Sequence, residues 1–463
     1  MKINFTVFIS VFTSLCFWIP NNALANHTQK QQTQNQSDIA ALFDQAAAKH
    51  KRELRGLLDL RGGSYRKDIN SGATSESVAK VLSLNTTNIN RSTEDLDEAI
   101  YHEAIYLDKT AVLFYSYDKK DLQIWLVDEY GIQAYHKRKL PENEIEQAII
   151  NLRNSMGVDL LQSTRSPHPR GLEIVSIVQK PKLLNSSIAK LTELLLPVAL
   201  THKLASVRHL IVVPVLGFGR VPYAVLQPFK DGSFLIDKMS ISVAPSLFDL
   251  GQSIRPWHVE TAFSSPLIVG NPYLPRNSEW IVPSLLGAEK EALAVAETIN
   301  ATPLIGKQAT KETILSKVGK SSLLYFATHG IASSRNPLSG GFLMLSAETL
   351  EQGWWTAKEI QERRFDETEL AVLSACQTGL GQVHDAGIIG LARAFQIAGV
   401  PRVVMSLWSV DDVATNELMQ EFIKYLKNGD IPAEALRKAM LEVRKQRSDP
   451  AQWASFVLFG TPR

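Results

Sequence analysis

The chain is predicted to fold as an α/β protein: a mainly parallel sheet flanked by helices, with a short helical region in front. Three observations predict it. From residue 262 to the end, short apolar runs alternate with longer amphipathic stretches, as strands and helices do when they succeed one another. Runs such as Leu323–Ala327 and Leu370–Ser374 are apolar almost throughout rather than at every second position, the mark of strands covered on both faces. The composition, 45% hydrophobic and 21% charged, belongs to a globular chain with a core to bury, and 463 residues exceed one ordinary core.

The first residues stand apart from that fold. Met1-Lys2 opens with a positive charge, and an uncharged, largely apolar run extends from Phe5 to Ile19. Pro20-Asn21-Asn22 breaks it, and Ala23-Leu24-Ala25 offers the small-x-small pattern of a signal-peptidase site. The run is shorter than the roughly 20 residues of a spanning helix. Residues 1–25 are therefore expected to be a cleaved signal peptide, the protein periplasmic or secreted, with no stable membrane span afterwards. Cys16 follows the bulky Leu15 and does not read as lipid-modified. The chain has two cysteines, so cleavage after Ala25 leaves Cys376 alone. An unpaired thiol in an exported protein is either reactive or a buried small hydrophobe.

Residues 26–37 are almost devoid of apolar side chains and read as a disordered Gln/Asn-rich linker. Residues 38–104 read as helical, with Ile39, Leu42, Phe43 and Ala46 at helical spacing and a Ser/Thr/Asn-rich break from Asn85 to Thr93. Strands are expected at 111–117 and 122–127, joined by the turn Asp118-Lys-Lys-Asp121, then helices at 144–153 and 188–200. A buried strand is expected at 209–214, a further strand over 234–243, and a connector over 255–266.

Past the connector, strands are expected at 267–270, 323–327, 342–345, 370–374 and 402–407. Helices are expected at 288–299, 311–318, 386–398, 413–426 and 433–444. In such sheets, function gathers at the carboxyl ends of the strands.

Several familiar motifs fail. Gly319-Lys320-Ser321 resembles the end of a phosphate loop, but Ile314 stands where its first glycine belongs and the order of helix and strand is reversed. Gly217-Phe-Gly219 meets Pro222 where a dinucleotide fingerprint needs glycine. No Gly-x-Ser-x-Gly elbow occurs, and His102-Glu103 lacks the second histidine of a zinc helix. No metal or cofactor is expected. The formal charge of +2 argues against a nucleic-acid partner.

Two strand ends carry chemistry. Leu323-Leu-Tyr-Phe-Ala-Thr-His329-Gly330 and Leu370-Ala-Val-Leu-Ser-Ala-Cys376-Gln-Thr-Gly379 are apolar strands that turn polar and meet glycine. If the strands are neighbours, imidazole and thiol emerge on one rim. Their separation, 376 − 329 = 47 residues, is close to the roughly 50 of caspases, whose cysteine sits in a related Gln-Ala-Cys setting. Cys376 as thiolate would attack a scissile carbonyl and His329 would protonate the leaving amine. Backbone N–H groups of Gly330 and Cys376 would line the oxyanion hole. Either residue alone at a strand end is ordinary packing; order, spacing and strand context together favour catalysis.

These segments closely resemble those of the CHAT family, caspase-like proteins often fused to tetratricopeptide repeats. The likeness runs from about 110 to the end. It includes Leu267-Ile-Val-Gly-Asn-Pro272, Gly387–Gly399, Ser406-Leu-Trp-Ser-Val-Asp411-Asp412 and Trp453-Ala-Ser-Phe-Val-Leu-Phe-Gly460. The resemblance implies a caspase-like fold, with residues 105–255 as a degenerate first half and 262–463 as the catalytic half. It also implies His329 and Cys376 as the catalytic pair. Residues 38–104 show no 34-residue repeat, so the usual array in front is absent or reduced to a remnant.

The function expected is therefore a cysteine endopeptidase acting on a protein or peptide, with an activating or inhibitory protein partner as a further expectation. Asp411 and Asp412, after the strand at 402–407, would suit a basic side chain before the cleaved bond; as acids at a helix start they also suit plain capping. His384 and Asp385 read as a gating loop or a helix start, and Trp354-Trp355 and Gly340-Gly341 as cleft border, core or turn. A non-catalytic protein-binding module and a thiol transpeptidase are the alternatives.

Overall fold

The computed structural model describes residues 36–52, 74–87, 109–158, 181–247, 250, 256–275, 282–331, 341–375, 382–384, 387–408 and 411–460. The expected signal peptide, Gly340, Cys376 and Asp385 lie outside them. The chain divides into residues 1–42 and 43–463. Of the first unit only 36–42 is described, and it is helical from 36, two residues inside the stretch expected as linker.

The second unit contains, in chain order, β1 (Thr110–Asp118), β2 (Asp121–Asp128), β3 (Gly131–Lys139), β4 (His209–Val213), β5 (Ser240–Val243), β6 (Pro266–Pro272), β7 (Leu304–Gly306) and β8 (Leu323–Ala327). It continues with β9 (Gly330–Ile331), β10 (Phe342–Met344), β11 (Trp354–Thr356), β12 (Leu370–Ser374), β13 (Gln382–His384), β14 (Gly387–Ile389), β15 (Arg402–Ser406) and β16 (Phe456–Gly460). Eleven strands form one sheet among the described residues, in the order β3-β2-β1-β4-β5-β16-β15-β12-β8-β6-β7. The β1–β2, β2–β3 and β15–β16 pairs are antiparallel and the remainder parallel. This is the expected α/β architecture, a mainly parallel sheet flanked by helices.

Local chemistry explains the pieces. The β1–β2 hairpin turns through Lys119 and Lys120, both at positive φ (47° and 75°), as a two-residue turn matched to strand twist requires. Strands β4, β8, β12 and β15 are buried at every position, which is why their sequences are apolar without alternation. Helices Leu286–Thr298, Asp412–Lys427 and Pro432–Gln446 bury apolar stripes and contribute to the same core. Phe326, Trp355, Phe365 and Phe395 pack ring against ring, so Trp355 is a core residue. Trp354 stacks on Phe342 at 4.5 Å between ring centroids. Among the described residues no single helix is long and apolar enough to cross a membrane.

Several expectations need correction. The helix over 188–200 is two helices, Pro181–Leu195 and Val198–Leu204, because Pro197 is extended (φ −60°, ψ 154°) and cannot donate to the first. The strand over 234–243 starts as one helical turn, Leu235–Lys238, closed by the Asp237 carboxylate, which accepts from the Phe234 N–H at 2.9 Å; only Ser240–Val243 is strand. The run at 342–345 does not join the main sheet but pairs as β10 with β9 and β11. The helix expected from 386 begins at Leu391, after β14. Strands β3, β7, β9, β11, β13, β14 and β16 fall outside the expected strands. β16 pairs parallel with β5 and antiparallel with β15, so the last strand of the chain joins the strands on either side into one sheet.

Candidate active site

Strands β8 and β12 are neighbours, parallel and in register from Leu323↔Leu370 to Ala327↔Ser374. They end level with one another at the carboxyl edge of the sheet. His329 follows Ala327 by two residues, and Cys376 follows Ser374 by two. Cys376 itself lies outside the described residues.

After Ala327 the chain leaves the main sheet. The Thr328 hydroxyl donates to the Met344 carbonyl at 2.6 Å, and the Met344 N–H donates to the His329 carbonyl at 2.9 Å. These bonds fix the backbone on both sides of the imidazole. Gly330 then pairs with Leu343, one step along from that bonded pair. Bonded and non-bonded positions alternate along an antiparallel ladder, so the Gly330 N–H is not aimed at β10.

The His329 Nε2 lies 2.8 Å from the carbonyl oxygen of Pro283, in the turn before the Leu286–Thr298 helix. A carbonyl only accepts, so in the neutral ring Nε2 carries the hydrogen and Nδ1 keeps the lone pair. Burial pulls the imidazole below its ordinary value of 6.5, opposed by the Pro283 bond and by the negative charge of Asp412. The Pro283 bond thus orients the ring, and burial favours its neutral form.

Asp411 and Asp412 take different places. Asp411 is the N-cap of the Asp412–Lys427 helix, and its Oδ1 accepts from the Val413 N–H at 3.0 Å and the Ala414 N–H at 3.1 Å. The Asp412 side chain lies directly over Gly287, where no room remains for a Cβ, and its field reaches His329 and the buried Glu291. Asp412 thus sits over Gly287 with His329 in reach of its charge, and Asp411 belongs to the helix end.

Two participants escaped sequence reasoning. The Pro283 carbonyl is a backbone group that carries no side-chain signal. Glu291 did leave one: it shares the buried helix face with Ala288, Ala292 and Val295, where an acid is out of pattern. Its Oε1 accepts from the Tyr325 hydroxyl of β8 at 2.6 Å, and its carboxyl faces the Ser374 hydroxyl of β12.

Comparison with known proteins follows from this geometry. The family model described as the CHAT domain matches residues 185–461, a later start than the resemblance from about 110. Tetratricopeptide repeat protein 28 of Homo sapiens is 27% identical over 283 residues, covering 52% of this chain and 11% of that protein. Its Mus musculus counterpart is 26% identical, with 52% and 12% covered. The chain thus spans about a tenth of the length of these curated relatives. Among solved structures, the Saccharomyces cerevisiae separase–securin complex aligns with a TM-score of 0.48 at 12% identity, covering 82% of this chain and 32% of that one. The Arg-specific cysteine proteinase gingipain R aligns with a TM-score of 0.40 at 11% identity, covering 58% and 68%.

Proposed function

This chain belongs to the CHAT domain family, and we propose that it is a cysteine endopeptidase in which His329 and Cys376 form the catalytic pair. The observation that carries the reading is the His329 imidazole, tethered through Nε2 to a main-chain carbonyl at the rim where the strand leading to Cys376 also ends.

In this reading Nδ1 of His329 takes the Cys376 thiol proton, and the thiolate attacks the scissile carbonyl carbon. The negative oxygen that forms is met by the N–H groups of Gly330 and Cys376, each such donor being worth about 3 kcal/mol of barrier. The imidazolium returns its proton to the leaving amine, the C–N bond breaks, and a thioester remains. His329 then takes a proton from water; the hydroxide adds to the thioester, the thiolate leaves, and the carboxylic acid product is released. An amine in place of water would give transpeptidation from the same thioester.

Three finer points belong to the same proposal. The basic leader and Ala23-Leu24-Ala25 support export to the periplasm or outside the cell. The carboxylate of Asp412, whose charge reaches His329, supports a Lys or Arg before the cleaved bond. The natural ligand is a protein or peptide, and a regulatory protein would act at the same rim.

The test compares wild type with Cys376→Ala. Each is mixed with an envelope proteome, and new N-termini are sequenced, after an acyl-electrophile peptide probe has established that wild-type Cys376 is reactive. New termini found only with wild type are expected. A reactive thiol that generates none, in any fraction, would overturn the peptidase reading in favour of a binding module; peptide ligation products would turn it to a transpeptidase.

A further inference from the structure

We propose that Glu291 is a positioning residue: bonded to Tyr325 of β8 and facing Ser374 of β12, it sets the alignment of the two strand ends that lead to His329 and Cys376. Its kinetic consequence rests on the peptidase reading above.

Glu291 is 2% exposed, on the inner face of the Leu286–Thr298 helix. A carboxyl group in such a place costs several kcal/mol unless its oxygens are bonded. Here Oε1 is bonded by Tyr325 and the carboxyl faces Ser374, two residues whose positions matter. Tyr325 pairs in register with Val372 and stands four residues before His329; Ser374 stands two before Cys376. The Ser374 hydroxyl of β12 faces the same carboxyl, so one acid and two hydroxyls meet where a helix crosses two adjacent strands. The same helix begins just after Pro283, whose carbonyl holds His329. One buried acid therefore joins all three supports of the rim.

The groups facing it are Tyr325 from β8, Ser374 from β12 and Asp412 from the Asp412–Lys427 helix. On β6, Asn271 is engaged by Ser284, Glu289 and the Leu285 N–H instead. Burial raises Glu291 to about 7, with the Tyr325 and Ser374 bonds opposing and Asp412 adding to the rise. The neutral acid donates one hydrogen bond and the anion only accepts, so the cluster has two bonding patterns that exchange near neutral pH.

The readout is the rate at which iodoacetamide alkylates Cys376, followed against pH in the full chain carrying Cys16→Ser. Alkylation needs no peptide hydrolysis, so it reports on the cluster even if no substrate is ever cleaved. Glu291→Ala is expected to slow alkylation and any reporter cleavage about tenfold, inside the range up to 10² that a 1 Å misplacement costs. Glu291→Gln, which keeps an acceptor and a donor, is expected to restore most of the rate while removing the inflection near pH 7. Tyr325→Phe and Ser374→Ala, milder deletions, are expected to slow it in the same direction should Glu291→Ala not fold. Wild-type rates and pH profiles in all folded variants, with only the melting temperature lowered, would overturn the proposal.

Discussion

The guanidinium of Arg153, on the Glu142–Ser155 helix, lies 5.6 Å from the ring centroid of Trp408, just beyond β15. It also donates to the carbonyls of Arg220 and Leu407, each at 3.3 Å, and is 1% exposed. One buried cation thus ties the helix that follows β3 to the segment that leads into Asp411 and Asp412. Arg153→Met keeps most of the volume but removes two charge-assisted bonds and the ring contact. The expected loss is about 3 kcal/mol, measured by urea denaturation. A loss under about 0.5 kcal/mol, the level of an ordinary surface change, would show that Arg153 is not a structural tie.

Asp411 makes the sharper statement about capping. Removing both Oδ1 bonds in Asp411→Ala is expected to cost about 1 kcal/mol, while Asp411→Ser, which can still cap, is expected to cost much less. Thermal melts of the pair check this. Equal losses would mean that the carboxylate acts through its charge and not as a cap.

The sheet was legible where strands are covered on both faces, since burial there leaves an unbroken apolar run, as in β8, β12 and β15. It was illegible where that condition fails. β3 is half-exposed along its length and carries His136, Lys137, Arg138 and Lys139, so nothing in it announces a strand. The 234–243 run was misread because Asp237 folds back on the Phe234 N–H, a local bond that outweighs strand preference. β16 was recognised only as a motif, because its place depends on two partners remote in sequence. His329 was legible as a polar residue ending an apolar strand. Its partner, the Pro283 carbonyl, was not, because only the fold brings that turn across to β8.

The depressed basicity of His329 gives a pH prediction. The base is the neutral ring, so activity falls as pH drops through the His329 value, and that limb is expected below the ordinary 6.5. Asp412 raises the value; Asp412→Asn is therefore expected to move the limb to still lower pH. Gly287→Ala places a Cβ against the Asp412 side chain and is expected to displace it, moving the limb in the same direction at a folding cost of about 1–3 kcal/mol. Profiles of kcat/KM against pH for the three proteins decide it. A limb unmoved in Asp412→Asn would mean that its charge does not reach the ring.

Glu291 also makes a prediction that needs no activity at all. Its folded value, about 7, lies above the ordinary 4.5, so between those values the folded chain holds a proton that the unfolded chain has released. Stability from this group is therefore greatest below about 4.5, declines as pH rises, and is lost once pH passes about 7. The whole effect is on the order of a few kcal/mol. Glu291→Gln carries no titrating group, and its unfolding free energy is expected to fall less steeply than that of wild type between pH 5 and 7. Urea denaturation at a series of pH values measures both slopes. Identical slopes would mean that Glu291 is ionised throughout, its charge balanced by the Tyr325 and Ser374 hydroxyls.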